Sequence, residues 1–156
     1  DRLLEECRNS SAKDLEMVVK ICLSTGARWG EAEKLKRSQI TAGKVTFIKT
    51  KGKRNRTIPL APEILSELPK KNGGLFEPCY YAFRSALERA GIDLPAGQLT
   101  HVLRHTFASH FMMNGGNILV LQKILGHTDI KMTMRYAHFA PSHLEDALKF
   151  NPMVGR

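Results

Sequence analysis

Between Leu99 and Tyr136 the chain carries a His-x-x-Arg pair, His101 and Arg104, then Gly126-His127, and then Tyr136 nine residues beyond that second histidine. Cations, imidazoles and a phenol, gathered without a carboxylate cluster, are the set that phosphodiester chemistry needs when no metal does the work. Cations hold phosphate oxygens, imidazoles donate hydrogen bonds or move protons, and a phenol is a nucleophile. Arg28 upstream and Lys51 in a basic turn complete the set. The chemistry it points to is DNA strand transfer through a tyrosine.

Two of these arginines sit on expected helices where a charge is costly. In the helix expected over 101–113, Arg104 lies near Phe111 and between Phe107 and Ala108 when residues are placed at 100° intervals. In a second helix, from Arg28 to Lys36, Arg28 shares a face with Glu31, Ala32 and Leu35. A buried guanidinium costs several kcal/mol, on the order of 3–5, unless it is paired and hydrogen-bonded. Glu31 is the one acid on that inward face, and one carboxylate does not neutralise two arginines. A phosphate site is therefore favoured over a purely structural pairing.

Six histidines invite a metal reading. His101 and His105 have the i, i+4 spacing of a zinc protease helix, but that motif needs Glu after the first His, and Val102 stands there. No metal and no cofactor is expected. His105, His110, His138 and His143 read as structural. His101 is expected in the first turn of its helix beside Arg104, placed to donate to a phosphate or move a proton. His127, after Gly126, projects from a junction. In a helix beginning near Asp129, Tyr136 points roughly 110° away from the stripe Ile130, Thr133, Met134 and Ala137, on the flank rather than in the packed seam. Tyr80 and Tyr81 read as ordinary helix residues.

The elements that must position these groups follow from periodicity and punctuation. The first thirteen residues read as a charged amphipathic helix. Leu15, Val18, Val19 and Cys22 give a helix over 14–24 closed by Gly26. Residues 39–60 hold Val45, Thr46, Ile48, Thr57 and Ile58 between Gly43 and Gly52, predicting two or three short antiparallel strands with a tight turn near Lys51–Asn55. Pro62 and Pro78 open helices over 62–68 and 78–90. Thr100 is expected to cap the helix 101–113, and helices over 117–125, 129–138 and 142–149 follow. The expected fold is α+β: one mainly α-helical domain with a small antiparallel sheet.

Charge narrows the partners. Against 15 acidic residues stand 24 Lys and Arg, a net charge of +9 and a pI near 9.7, a field that favours polyanions. Nine of the basic residues fall between Lys34 and Arg56, a stretch without an acid. A solvated charged hairpin is the plain reading of that stretch. Nucleic-acid binding through a glycine-bearing loop tipped by Lys51-Gly52-Lys53 is the better one. Nothing approaches the roughly 18 apolar residues of a membrane span, so no membrane partner is expected. Cys7, Cys22 and Cys79 form no disulfide framework, which fits a reducing cytoplasm.

Four segments, TGARWGEAEKL (25–35), KTKGKRNRTIPL (49–60), LTHVLRHTFASHF (99–111) and LGHTDIKMTMRYAH (125–138), resemble the catalytic domain of tyrosine recombinases, with temperate-phage integrases as the nearest group. The resemblance implies a catalytic site of Arg28, Lys51, His101, Arg104, His127 and Tyr136, with Glu31 as the acid accompanying the first arginine. It implies attack by Tyr136 on a DNA phosphate, a 3′-phosphotyrosine intermediate, and rejoining without ATP or metal, for integration or excision of phage DNA. It further implies double-stranded DNA with attachment sites as substrate, a dimer or tetramer on DNA, an accessory DNA-bending protein, and the cytoplasm of a bacterial host.

Residues 1–156 are then a catalytic domain, a C-terminal fragment of a longer protein with an N-terminal DNA-binding part. The tail 141–156, with Leu144, Ala147 and Leu148 on one stripe, either docks on a neighbouring protomer or packs on its own domain. Two other functions fit the same residues: a type IB topoisomerase-like enzyme that nicks and reseals without exchange, and a DNA-binding module whose motif residues are structural.

Overall fold

The computed structural model describes residues 1–48 and 55–156, so Lys51 and the rest of the expected turn tip, 49–54, lie outside the described residues. Nine α-helices and one three-stranded sheet are found among the described residues, the mainly helical α+β domain expected. The helices are α1 (Arg2–Arg8), α2 (Leu15–Thr25), α3 (Trp29–Glu33), α4 (Pro62–Glu67), α5 (Tyr80–Arg89), α6 (Val102–Met113), α7 (Ile118–Leu125), α8 (Ile130–Met134) and α9 (Asp146–Phe150). The strands are β1 (Ile40–Thr41), β2 (Lys44–Phe47) and β3 (Arg56–Pro59).

The apolar stripe of α2 is the centre of the main core: Leu15, Val18, Val19, Ile21 and Cys22 are all buried. α2 packs on α1, α3 and α6. The sheet is antiparallel in the order β1-β2-β3, with Val45 opposite Ile58 and Phe47 opposite Arg56. Alternation sends Val45, Phe47, Arg56 and Ile58 inward, so Arg56 points into the protein. A second, smaller core forms where α6 meets α7, from Ala108, Met112, Leu121, Leu125 and Tyr136. The three cysteines are buried and free, and burial raises each thiol well above its ordinary range.

Helix ends depart from expectation in several places: α5 starts at Tyr80 rather than at Pro78, and α9 spans Asp146–Phe150 rather than 142–149. Arg28 is the N-cap of α3 with extended backbone, not a member of its buried face. The residue capping α6 is His101, with no side-chain cap bond, rather than Thr100. The single helix expected over 129–138 breaks: α8 ends at Met134, and a 3-10 turn follows at Ala137–Phe139. The start of α8 is fixed by Asp129, whose side chain accepts from Lys131 N–H at 2.9 Å.

Candidate active site

Arg104 enters from the buried face of α6, in line with Ala108 and Met112 at the i, i+4, i+8 spacing, and is 5% exposed. Its guanidinium donates to the carbonyl of Gly26 at 2.8 Å and to the carbonyl of Leu125. Those oxygens stand at the C-terminal ends of α2 and α7, each closed by a left-handed glycine, Gly26 (φ 71°) and Gly126 (φ 72°). A cation between two helix C-termini meets partial negative charge from both, which is how α6 holds a buried arginine without a carboxylate. Burial still lowers its pKa to about 10; Arg28 and Arg56 add to the fall, and Glu31 and Tyr136 oppose it. Arg104 therefore stays cationic at neutral pH.

The acid expected to match Arg28 or Arg104 is taken by a third arginine. Arg56, 4% exposed, donates to both oxygens of Glu31 at 2.7 and 3.0 Å. It also donates from Nε to the Ile124 carbonyl at 2.9 Å, and lies 5.2 Å from the centre of the Phe47 ring. Arg28 stands farther from that carboxylate, with its guanidinium 3.9 Å away, and is partly exposed. Its backbone N–H is held by Glu31 at 3.0 Å. Arg56 was grouped in sequence with the DNA-facing cations; the structure makes it an internal counter-ion. A sequence signal for this exists, because Arg56 and Ile58 share a strand face.

Adjacent carbonyls at the end of α7, Ile124 and Leu125, are thus gripped by Arg56 and Arg104. His127 follows directly, with its Nδ1 2.7 Å from the hydroxyl of the buried Thr133 on α8. Residue 136 takes its backbone bond from Thr133 as well, Tyr136 N–H to the Thr133 carbonyl at 3.0 Å. Thr133 therefore ties the His127 ring to the segment that presents Tyr136.

Tyr136 is 9% exposed and packs into the second core, which corrects the expectation that it stands clear of the packed seam. The reason is the break after Met134: once the chain leaves the α-helix, projection at 100° per residue no longer applies. Its hydroxyl is hydrogen-bonded to Nδ1 of His105. Burial raises the phenol pKa, opposed by Arg104 and Arg135. His105 is shifted down, by burial first and then by His101, Arg104 and Arg135. Sequence position gives it a structural role; the structure places it against the phenol. Its spacing of one residue from Arg104 gave no helical-face reason to single it out.

His101 is exposed, and its ring centre is 6.1 Å from that of His105. Arg104, His105, Tyr136 and His101 thus lie around the first turns of α6, with Arg28 close enough to lower the pKa of Arg104. Among the described residues no group of three or more His, Cys, Asp or Glu side chains comes together.

The sequence and the fold match known proteins over nearly the whole chain. The Phage integrase family model matches residues 1–71 and 78–143, and the chain belongs to that family. It is 69% identical over 154 residues to the integrase of Escherichia phage 186, covering 98% of this chain and 46% of that protein. It is 65% identical over 152 residues to the integrase of Haemophilus phage HP1, covering 97% of this chain and 45% of that protein. The chain thus spans about half the length of these relatives. The solved catalytic domain of bacteriophage HP1 integrase superimposes with a TM-score of 0.95 at 64% identity, covering 99% of this chain and 92% of that one. XerH site-specific recombinase bound to its difH substrate, in a pre-cleavage complex, gives a TM-score of 0.71 at 26% identity, covering 96% and 51%.

Proposed function

We propose that this chain is a catalytic domain that cleaves and rejoins DNA through Tyr136, for integration or excision of phage DNA. One observation carries the reading: a buried Arg104, neutralised by helix ends rather than by a carboxylate, lies on the same helical turn as the histidine that holds the Tyr136 hydroxyl. Two N–H groups of Arg104 are used by carbonyls, and a guanidinium has five, so donor capacity remains for an anion. By family resemblance Arg28 and Arg104 hold the non-bridging oxygens of a scissile phosphate, and His127 donates to one of them.

The Tyr136 oxygen attacks phosphorus, the P–O5′ bond breaks, and a 3′-phosphotyrosine and a 5′-hydroxyl result. Lys51 protonates the departing 5′-oxygen, and His101 assists proton transfer. Reversal by the 5′-hydroxyl of another strand reseals the DNA without ATP or a metal. Double-stranded DNA is the substrate, held partly by the lysines of the hairpin, and the setting is the host cytoplasm. No helix among the described residues is long and apolar enough to cross a membrane. The domain acts as a dimer or tetramer on DNA, with the tail 141–156 docking on a neighbouring protomer and a DNA-bending protein assisting.

The test is covalent trapping. Duplexes of randomised sequence, each nicked a few nucleotides 3′ of a central phosphate, are incubated with the protein, and adducts that survive denaturation are recovered. Adduct with the parent chain and none with Tyr136→Phe is expected. Adduct from Tyr136→Phe, or none from the parent chain, overturns the reading.

A further inference from the structure

The hydrogen bond between His105 and Tyr136 joins the attacking oxygen to a group that none of the motif residues supplies. Tyr136 is buried in the second core, and the side chain hydrogen-bonded to its hydroxyl is His105. His105 also lines an open pocket of about 410 Å³, together with Leu94, Gln98, Val102 and Ser109. A proton taken from the phenol can therefore pass through the imidazole toward solvent.

We propose that His105 is the catalytic base for Tyr136, accepting the phenolic proton at Nδ1 during cleavage and returning it during rejoining. This rests on the reading of Tyr136 as nucleophile. The step balances: the Tyr136 O–H bond breaks as the Tyr136 oxygen–phosphorus bond forms, the proton passes to Nδ1, and the P–O5′ electron pair leaves with the 5′-oxygen, which takes its own proton from Lys51. Rejoining runs the same transfers backward, with the His105 imidazolium as acid.

The surroundings suit that role. The groups facing His105 are His101, Arg104 and His110 on its own helix, and Arg135 and Tyr136 from the turn after α8. Burial first, and then the charges of His101, Arg104 and Arg135, shift the imidazole toward its neutral form, so the phenol donates and Nδ1 accepts. When a phosphate occupies Arg104, its negative charge offsets these cations and favours the imidazolium that forms as the proton transfers. His101, 6.1 Å from His105 by ring centres, is left to act on the phosphate side.

Single-turnover cleavage of a nicked duplex recovered by the trapping experiment tests the assignment. His105→Ala and His105→Gln are each expected to slow adduct formation by about a hundredfold or more, with DNA affinity unchanged and circular dichroism that of the parent. The parent rate falls as pH drops through the His105 titration, and that limb is absent in His105→Gln while present in His101→Gln. Added imidazole restores part of the His105→Ala rate through the open pocket. Replacing the bridging 5′-oxygen by sulfur, which leaves without an acid, does not restore either variant.

Parent-like cleavage by His105→Gln would reduce the histidine to a hydrogen-bonding post and overturn the proposal. Rescue by the 5′-sulfur would assign it to the leaving group instead, with the same result. Both outcomes leave adduct formation by the parent chain intact, whereas failure of the nucleophile assignment shows as adduct from Tyr136→Phe or none from the parent.

Discussion

Arg56 donates to both carboxylate oxygens of Glu31, at 2.7 and 3.0 Å, across 25 residues of sequence. The pair binds β3 to the start of α3, and Arg56 extends it to the end of α7 through the Ile124 carbonyl. It also decides which arginines remain for phosphate. With Glu31 engaged by Arg56, Arg104 is held by carbonyls rather than by a carboxylate, which in the proposed reading leaves it and Arg28 to bind phosphate. Removing one partner of such a buried pair leaves an uncompensated charge at a cost of about 3–5 kcal/mol. Arg56→Met is therefore expected to destabilise the domain by about that amount, read by urea unfolding. Glu31→Gln/Arg56→Met is expected to recover most of it, because the amide still accepts from Arg28 N–H and carries no charge. A double variant as unstable as Arg56→Met would show that the arginine acts by packing alone.

The same pair sets an acid limit. Burial raises the Glu31 pKa, but the Arg56 hydrogen bonds, the Arg28 backbone N–H and the charges of both arginines outweigh it, and the net shift is downward from 4.5. The folded state then binds fewer protons than the unfolded chain in the acid range. The resulting stability is complete above the ordinary carboxylate pKa and is lost as pH falls from there through the lower folded value. Unfolding free energies measured down to acid pH should show this decline in the parent chain and a shallower one in Glu31→Gln/Arg56→Met. Equal slopes would remove Glu31 from the account.

Gly26 is where backbone conformation and the phosphate site meet. Its φ is +71°, and a Cβ there would stand 2.7 Å from Phe107 Cδ1 and 2.9 Å from Leu125 Cδ2. Left-handed backbone costs a non-glycine residue about 1–2 kcal/mol, before any overlap is relieved. Gly26→Ala is expected to lose at least that in thermal or urea unfolding. Because the Gly26 carbonyl holds Arg104, cleavage should fall more than stability alone explains under conditions where the variant is folded. Parent-like cleavage by the folded variant would separate the two roles.

Arg104→Lys keeps the charge and removes the fork. A lysine does not reach two helix ends and a phosphate with fixed planar donors. Cleavage should drop by about a hundred- to a thousandfold, the usual loss for one oxyanion donor, while DNA affinity stays close to that of the parent. A loss confined to binding would move Arg104 from transition-state stabilisation to DNA affinity.

Sequence periodicity was enough for most of the helices, the antiparallel strands and the inward placement of Arg104, because each rests on local patterns of apolar residues and on punctuation by Gly and Pro. What it missed depends on contacts between distant segments. Arg56 looked like one more cation of a basic turn, and its partner is 25 positions away. Tyr136 was projected on a helix that in fact ends at Met134, so its burial was misread. His105 gains its interest only once the turn after α8 folds back onto α6. Arg28 was placed on a buried face, whereas the capping geometry of α3 sets it at the edge.

The tail offers a separate test of assembly. Leu144, Leu148 and Phe150 are 84%, 76% and 80% exposed, and α9 buries none of its residues. Burying three such side chains is worth about 1.5–3 kcal/mol each. Leu144, Leu148 and Phe150 pack on neither core of their own domain, and in the proposed reading a neighbouring copy is the surface that covers them. Truncation after Ala140 is expected to leave the melting temperature within a few degrees of the parent, since no core residue is removed. It should abolish concentration-dependent self-association in sedimentation, with and without DNA. An unchanged monomer–dimer equilibrium would rule out exchange of the tail, and a marked loss of stability would return the tail to its own domain.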